Sequence, residues 1–114
     1  DTGLRYVMDY DFFLRAALNG CKFYRLLGQP LAAFRIHHTS KTMNKHKYGF
    51  HEELSMIERI FNDPRLPPDL LPLRLAARAH IYQNTAYTCY LSGDIRSAFY
   101  FLWLAASNDK SVLR

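Results

Sequence analysis

Apolar positions recur at three- and four-residue spacing from Asp9 to Leu18, through Phe12, Phe13, Ala16 and Ala17, and predict a helix. Asn19-Gly20 stops it, since glycine readily takes the left-handed conformation after a last helical turn. Asp9 and Asp11 fall in the first turn, where unpaired backbone N–H groups favour carboxylates. Their simplest role is structural: one caps the helix and the other decorates its first turn. Arg15 lies four residues after Asp11, a spacing that gives a surface ion pair worth roughly 0.2–0.5 kcal/mol.

The period then changes. Cys21 to Leu27 is short, aromatic and partly alternating, which predicts a strand; Gly28-Gln29-Pro30 predicts a turn, and Leu31 to Ile36 a second strand. A two-stranded hairpin is marginal alone, so a larger sheet in a parent protein is expected. His37 to Gly49 has almost no apolar content and reads as a long loop. Helical spacing resumes from Phe50 to Phe61 through Leu54, Ile57 and Ile60, with Glu52 and Glu53 in the first turn, and Asn62-Asp63-Pro64 ends it. A proline-rich connector follows, with Pro72 suited to a first helical turn. Leu73 to Leu91 and Ile95 to Ser107 read as two helices broken at Ser92-Gly93-Asp94, with Asp94 as N-cap, and form an antiparallel hairpin. The second places Ile95, Ala98, Phe99 and Leu102 on one face; with Tyr100, Phe101 and Trp103 it is apolar almost all round, which points to burial in a core or a dimer.

Hydrophobic residues make up 49% of the chain and aromatics 15%, enough for a packed core and too many for a disordered segment. At 114 residues the chain is one domain or part of one. Asp1-Thr2-Gly3-Leu4 resembles neither an initiator nor a signal peptide, so an excised fragment is expected. The longest apolar run, Ala98 to Ala106, is too short to span a membrane. Cys21 and Cys89 match no metal or redox spacing and read as buried thiols in a reducing compartment. The net charge of +5 is unevenly placed: residues 21–48 hold six basic residues and no acid, a net of +6. That segment should attract an anion.

Two stretches in this order resemble a known family. Leu4-Arg5-Tyr6-Val7-Met8-Asp9-Tyr10-Asp11-Phe12-Phe13-Leu14-Arg15 is similar to the end of the catalytic domain of family 2 glycosyltransferases, where an x-Asp pair, an aromatic, a second Asp and Leu-x-Arg open a helix under the active site. Leu31-Ala32-Ala33-Phe34-Arg35-Ile36-His37-His38-Thr39-Ser40-Lys41-Thr42 resembles the family's aromatic-Arg-x-His-x-x-Ser segment. Met8 stands where many relatives have Glu. The resemblance covers about residues 1–60. It implies a GT-A α/β nucleotide-sugar transferase fold, of which residues 1–63 would be the C-terminal segment. Residues 64–114 would be a helical hairpin extension, weakly similar to one tetratricopeptide-type unit. The fold class expected is therefore mainly α with a small β-hairpin.

The resemblance also implies a chemistry. A sugar would pass from a nucleoside diphosphate donor to an acceptor hydroxyl, with inversion. Asp9 would be the base, contributing about 10²–10⁴-fold, and Asp11 would orient the loop or pair with Arg15. Arg15, Arg35 and Lys41 would bind substrate. His37 would complete a Mg2+ or Mn2+ site begun in the missing half, and residues 39–48 would form a mobile lid. His38, His46, His51 and His80 read as ordinary solvated residues. The family's metal-binding Asp-x-Asp belongs to that absent half, so the fragment should not be active alone. The expected partners are the donor and a glycan or lipid-linked acceptor of cell-envelope polysaccharide, in the cytoplasm or at the inner membrane face, with peripheral membrane contact and a homodimer both open. Two other readings compete. One is a non-enzymatic helical interaction module; the other, less favoured, is a nucleic-acid binder using residues 21–48, which the strand pattern disfavours by burying aromatics needed for stacking.

Overall fold

Helix α1 spans Met8–Leu18 and closes as the sequence predicts: Gly20 takes φ +81°, and Gly20 N–H bonds Ala17 O at 2.9 Å. A computed structural model describes residues 3–30, 32, 33 and 41–113, with backbone alone for 41–48, 112 and 113. Among these described residues there are four α-helices in order, α1, α2 (Lys41–Phe61), α3 (Arg74–Leu91) and α4 (Ile95–Asn108), with 3-10 turns at Pro68–Leu73 and Lys110–Leu113.

The expected GT-A α/β fragment with its β-hairpin is not what the described residues form; their regular elements are helical. Among the described residues there is no strand and no sheet. Residues 21–27 are irregular and every residue from 21 to 30 is exposed, with Tyr24 at 81% and Leu27 at 86%. A strand needs a neighbour to satisfy its backbone, whereas a helix satisfies its own, and these residues have no ladder to join. The second predicted strand, Leu31 to Ile36, lies outside the described residues except for 32 and 33, which are irregular.

The long loop is also corrected. Residues 41–49 extend α2 by more than two turns, so Glu52 and Glu53 sit well inside the helix rather than in its first turn. The added turns hold no proline, and lysine is a good helix former. Apolar periodicity is blind to such a polar overhang.

The core is small. Val7 and Met56 are fully buried, and with Ile57 and Ile81 they form one cluster joining the start of α1, α2 and α3. Leu4, Tyr6, Leu14, Phe50 and Leu54 pack around it. α3 and α4 form the predicted antiparallel hairpin. Gly93 (φ +81°) makes the turn, and Asp94 caps α4 by accepting the Ser97 N–H at 3.1 Å. Phe101 turns inward, 5.0 Å from Phe50 and 6.4 Å from Tyr82 between ring centres. Ala98 and Ala105 are buried, but Phe99, Tyr100 and Trp103 stay exposed, against the expectation that this helix is buried on most of its circumference. Neither cysteine is a buried thiol: Cys21 is exposed, Cys89 half-buried, and both are unbridged. No described helix is long and apolar enough to cross a membrane.

Candidate active site

Neither aspartate caps α1. Val7 occupies that position and its side chain makes no capping bond, so Asp9 and Asp11 both lie within the helix. Their environments differ. Asp9 is exposed, and its Oδ1 accepts the Tyr10 N–H at 2.8 Å. Asp11 is buried, at 3% exposure, and its two oxygens are divided between two arginines. Arg15 Nε donates to Oδ2 at 2.8 Å, and Arg59 Nη2 donates to Oδ1 at 3.2 Å. Both guanidinium side chains remain about half exposed, at 49% and 48%. The i, i+4 pair expected at the surface is thus the inner half of a clamp that joins α1 to α2.

That clamp is the middle of three. Nearer the chain start, Glu52 Oε2 accepts the N–H groups of Arg5 and Tyr6 at 3.0 and 2.8 Å. Beyond the end of α1, Arg65 Nη1 reaches Asn19 Oδ1 at 2.7 Å while its other nitrogens hold Asp63. The Arg65 guanidinium lowers the Asp63 carboxyl from an ordinary 3.8 to about 2. The partners rise together, 5 with 52, 11 with 59 and 19 with 65, so α1 runs parallel to the second half of α2. Glu52, Met56 and Arg59 fall on one face of α2 by their spacing, which places the buried methionine between the two polar ties. On the other side of α2, Glu58 pairs with Arg74 and, at 3.6 Å, with Arg78 of α3.

The sequence-predicted site is therefore only partly assembled from described residues. Asp9, Asp11 and Arg15 share one helix, and Arg15 gives its Nε to Asp11 while its side chain stays half exposed. Arg35 and His37 lie outside the described residues, as does the side chain of Lys41, whose backbone begins α2. The mobile lid expected at residues 39–48 is corrected for residues 41–48, which are helical; residues 39 and 40 lie outside the described residues. Among the described residues no three His, Cys, Asp or Glu side chains converge on a point that could hold a metal ion. The expected Mg2+ or Mn2+ site rests on His37 and on sequence beyond this segment, and so lies outside the described residues.

Sequence reasoning missed Arg59 and the carboxylate of Glu52. A signal was present, since the two stand seven residues apart on one helical face with Met56 between. Its meaning depended on α1 lying alongside, which spacing within one helix cannot reveal. Comparison of the chain with known protein families, with characterised proteins and with solved structures finds no match to any of them.

Proposed function

We propose that this chain forms the acceptor-activating part of a glycosyltransferase that moves a sugar from a nucleoside diphosphate donor to a hydroxyl. Asp9 is the base. The observation that carries the reading is the division of labour between two aspartates on one helical turn. Asp11 is buried and shared by two arginines, so it anchors α1 and is shielded from an incoming acceptor. Asp9, next to it, is exposed in the first turn of α1, where an acceptor hydroxyl can reach its carboxylate. The order of the two motifs around Asp9-x-Asp11 and Arg35-x-His37 is the second support.

On this reading the donor is bound by sequence outside this segment, together with Mg2+ or Mn2+. Arg35, His37 and Lys41 face the diphosphate, and the net +6 of residues 21–48 draws it in. The acceptor is a glycan or a lipid-linked sugar, and the protein works in the cytoplasm at the inner face of a membrane. Asp9 then removes the hydroxyl proton as the oxygen forms its bond to the anomeric carbon, and the nucleoside diphosphate leaves with the electron pair of the broken bond.

The test is release of nucleoside diphosphate from a panel of nucleotide sugars with Mn2+ or Mg2+ and an acceptor, using the longer protein that contains this segment. Asp9→Asn should lower turnover by about 10²-fold or more with helicity unchanged. Turnover that survives Asp9→Asn removes Asp9 from the role of base, and an absence of both turnover and diphosphate binding ends the transferase reading.

A further inference from the structure

The helical hairpin carries an apolar face that the core does not use. Ala86 of α3 and Ala98 of α4 form the floor of a groove of about 530 Å³ between the helices. Tyr87, Tyr90, Ile95, Phe99 and Leu102 line its sides, and Leu91, four residues after Tyr87 on α3, continues the face at its turn end by helical spacing. The five flanking residues and Leu91 are between 36% and 69% exposed. Taking about 200 Å² for a large side chain, those fractions leave roughly 700 Å² of contiguous surface. An ordinary monomer's largest apolar patch runs to about 300–600 Å², while a standard interface takes about 800 Å² from each partner.

We propose that two copies of this chain pair through the α3–α4 face about a two-fold axis, each setting Phe99 into the other's groove. The area is one argument. Charge is the other. A chain of net charge +5 can self-associate only where like charges are kept apart. Residues 85–108 hold one acid and one base, Asp94 and Arg96, and none of the groove residues is charged. Elsewhere among the described residues, Phe12, Phe13 and residues 21–27 mix exposed aromatics with Arg15, Lys22 and Arg25, and the exposed Leu70, Leu71, Leu73 and Leu75 stand among Asp69, Arg74 and Arg78. A two-fold through the first of these would bring Lys22 and Arg25 of both copies together, four cations besides the two arginines already paired with Asp11. The inference stands independently of the sugar-transfer reading, because it uses no residue of α1.

Sedimentation velocity on the 114-residue chain over roughly 1–200 µM tests it, which resolves a micromolar dimer as a rise in mass and shows a tighter one as a dimer at every concentration, either of which supports the proposal. The wild type should move from 13.4 kDa toward twice that mass as concentration rises. Phe99→Glu should weaken the dimer at least tenfold with helicity retained, and Phe99→Ala should do so in part, which covers the case in which the glutamate variant misfolds. Phe13→Glu, on the other face, should leave the dimer unchanged. A chain that stays monomeric throughout overturns the proposal and leaves the groove to a helix of another protein. A dimer that Phe13→Glu dissolves and Phe99→Glu does not also overturns it.

Discussion

Replacing Asp11 by asparagine keeps its volume and one acceptor oxygen but removes the charge that two guanidinium groups share. Hydrogen bonds to charged groups contribute about 1.5–3 kcal/mol each when both partners are sheltered. Here only the carboxylate is sheltered; Arg15 and Arg59 are half exposed and can return to water, as exposed pairs worth about 0–1 kcal/mol do. The longer contact, 3.2 Å to Arg59, is also the weaker of the two. These terms place Asp11→Asn at about 1.5 kcal/mol of destabilisation, or a fall in Tm of roughly 6 °C for a domain of this size. Asp9→Asn, on an exposed side chain, should cost about 0.5 kcal/mol or less. Urea unfolding followed by circular dichroism reads both. A double-mutant cycle with Arg59→Met then asks whether the cost comes through the clamp, and a coupling of about 0.5 kcal/mol is expected for this weaker contact. Equal stabilities for the two asparagine variants, or a coupling near zero, would refute the view that Asp11 fastens α1 to α2.

Met56→Ala should cost about 3 kcal/mol, since the side chain is fully buried against Val7 and leaves a cavity among three helices; thermal unfolding checks it. Gly93→Ala should cost about 1–2 kcal/mol through backbone conformation alone, because φ is +81° and an added Cβ meets nothing within 4 Å. Asp94→Ala removes the cap of α4 and should cost about 1 kcal/mol, read by the same melts. Because the folded Asp63 titrates near 2 against an ordinary 3.8, its contribution is fully present above about pH 4 and disappears as pH falls through 2. Carboxyl chemical shifts should follow that titration, and Arg65→Ala should return it toward 3.8.

What could be read from the sequence was whatever is decided within a few residues. α1, α3 and α4 announce themselves through apolar spacing, and Gly20, Gly93 and Asp94 mark their ends because cap and turn chemistry is local. Residues 21–27 show the opposite case. Their alternation is that of a strand, but strand formation depends on a partner that no local pattern supplies. The early start of α2 was hidden because Lys, Asn, Thr and His carry no apolar rhythm. In the candidate site, the positions of Asp9 and Asp11 in the first turns of α1 were legible. The burial of Asp11 was not, since it depends on Arg59, forty-eight residues away.

The three ties between α1 and α2 have a consequence for cooperativity. The outer two, at Glu52 and at Arg65, use charge or partial charge closer to the surface, where added salt shortens the reach of the interaction to about 8 Å at physiological strength and about 3 Å at 1 M. The Asp11 carboxylate of the middle one is sheltered and screened less. The α3–α4 hairpin, held by buried alanines and the Phe101 ring, has no such dependence. Ionic strength should therefore act on the molecule unevenly, loosening α1 from the side of α2 while the hairpin keeps its amide protection. In concentrated salt the two ends of α1 would loosen first, while the sheltered Asp11 clamp and the Val7 packing hold the stretch between them.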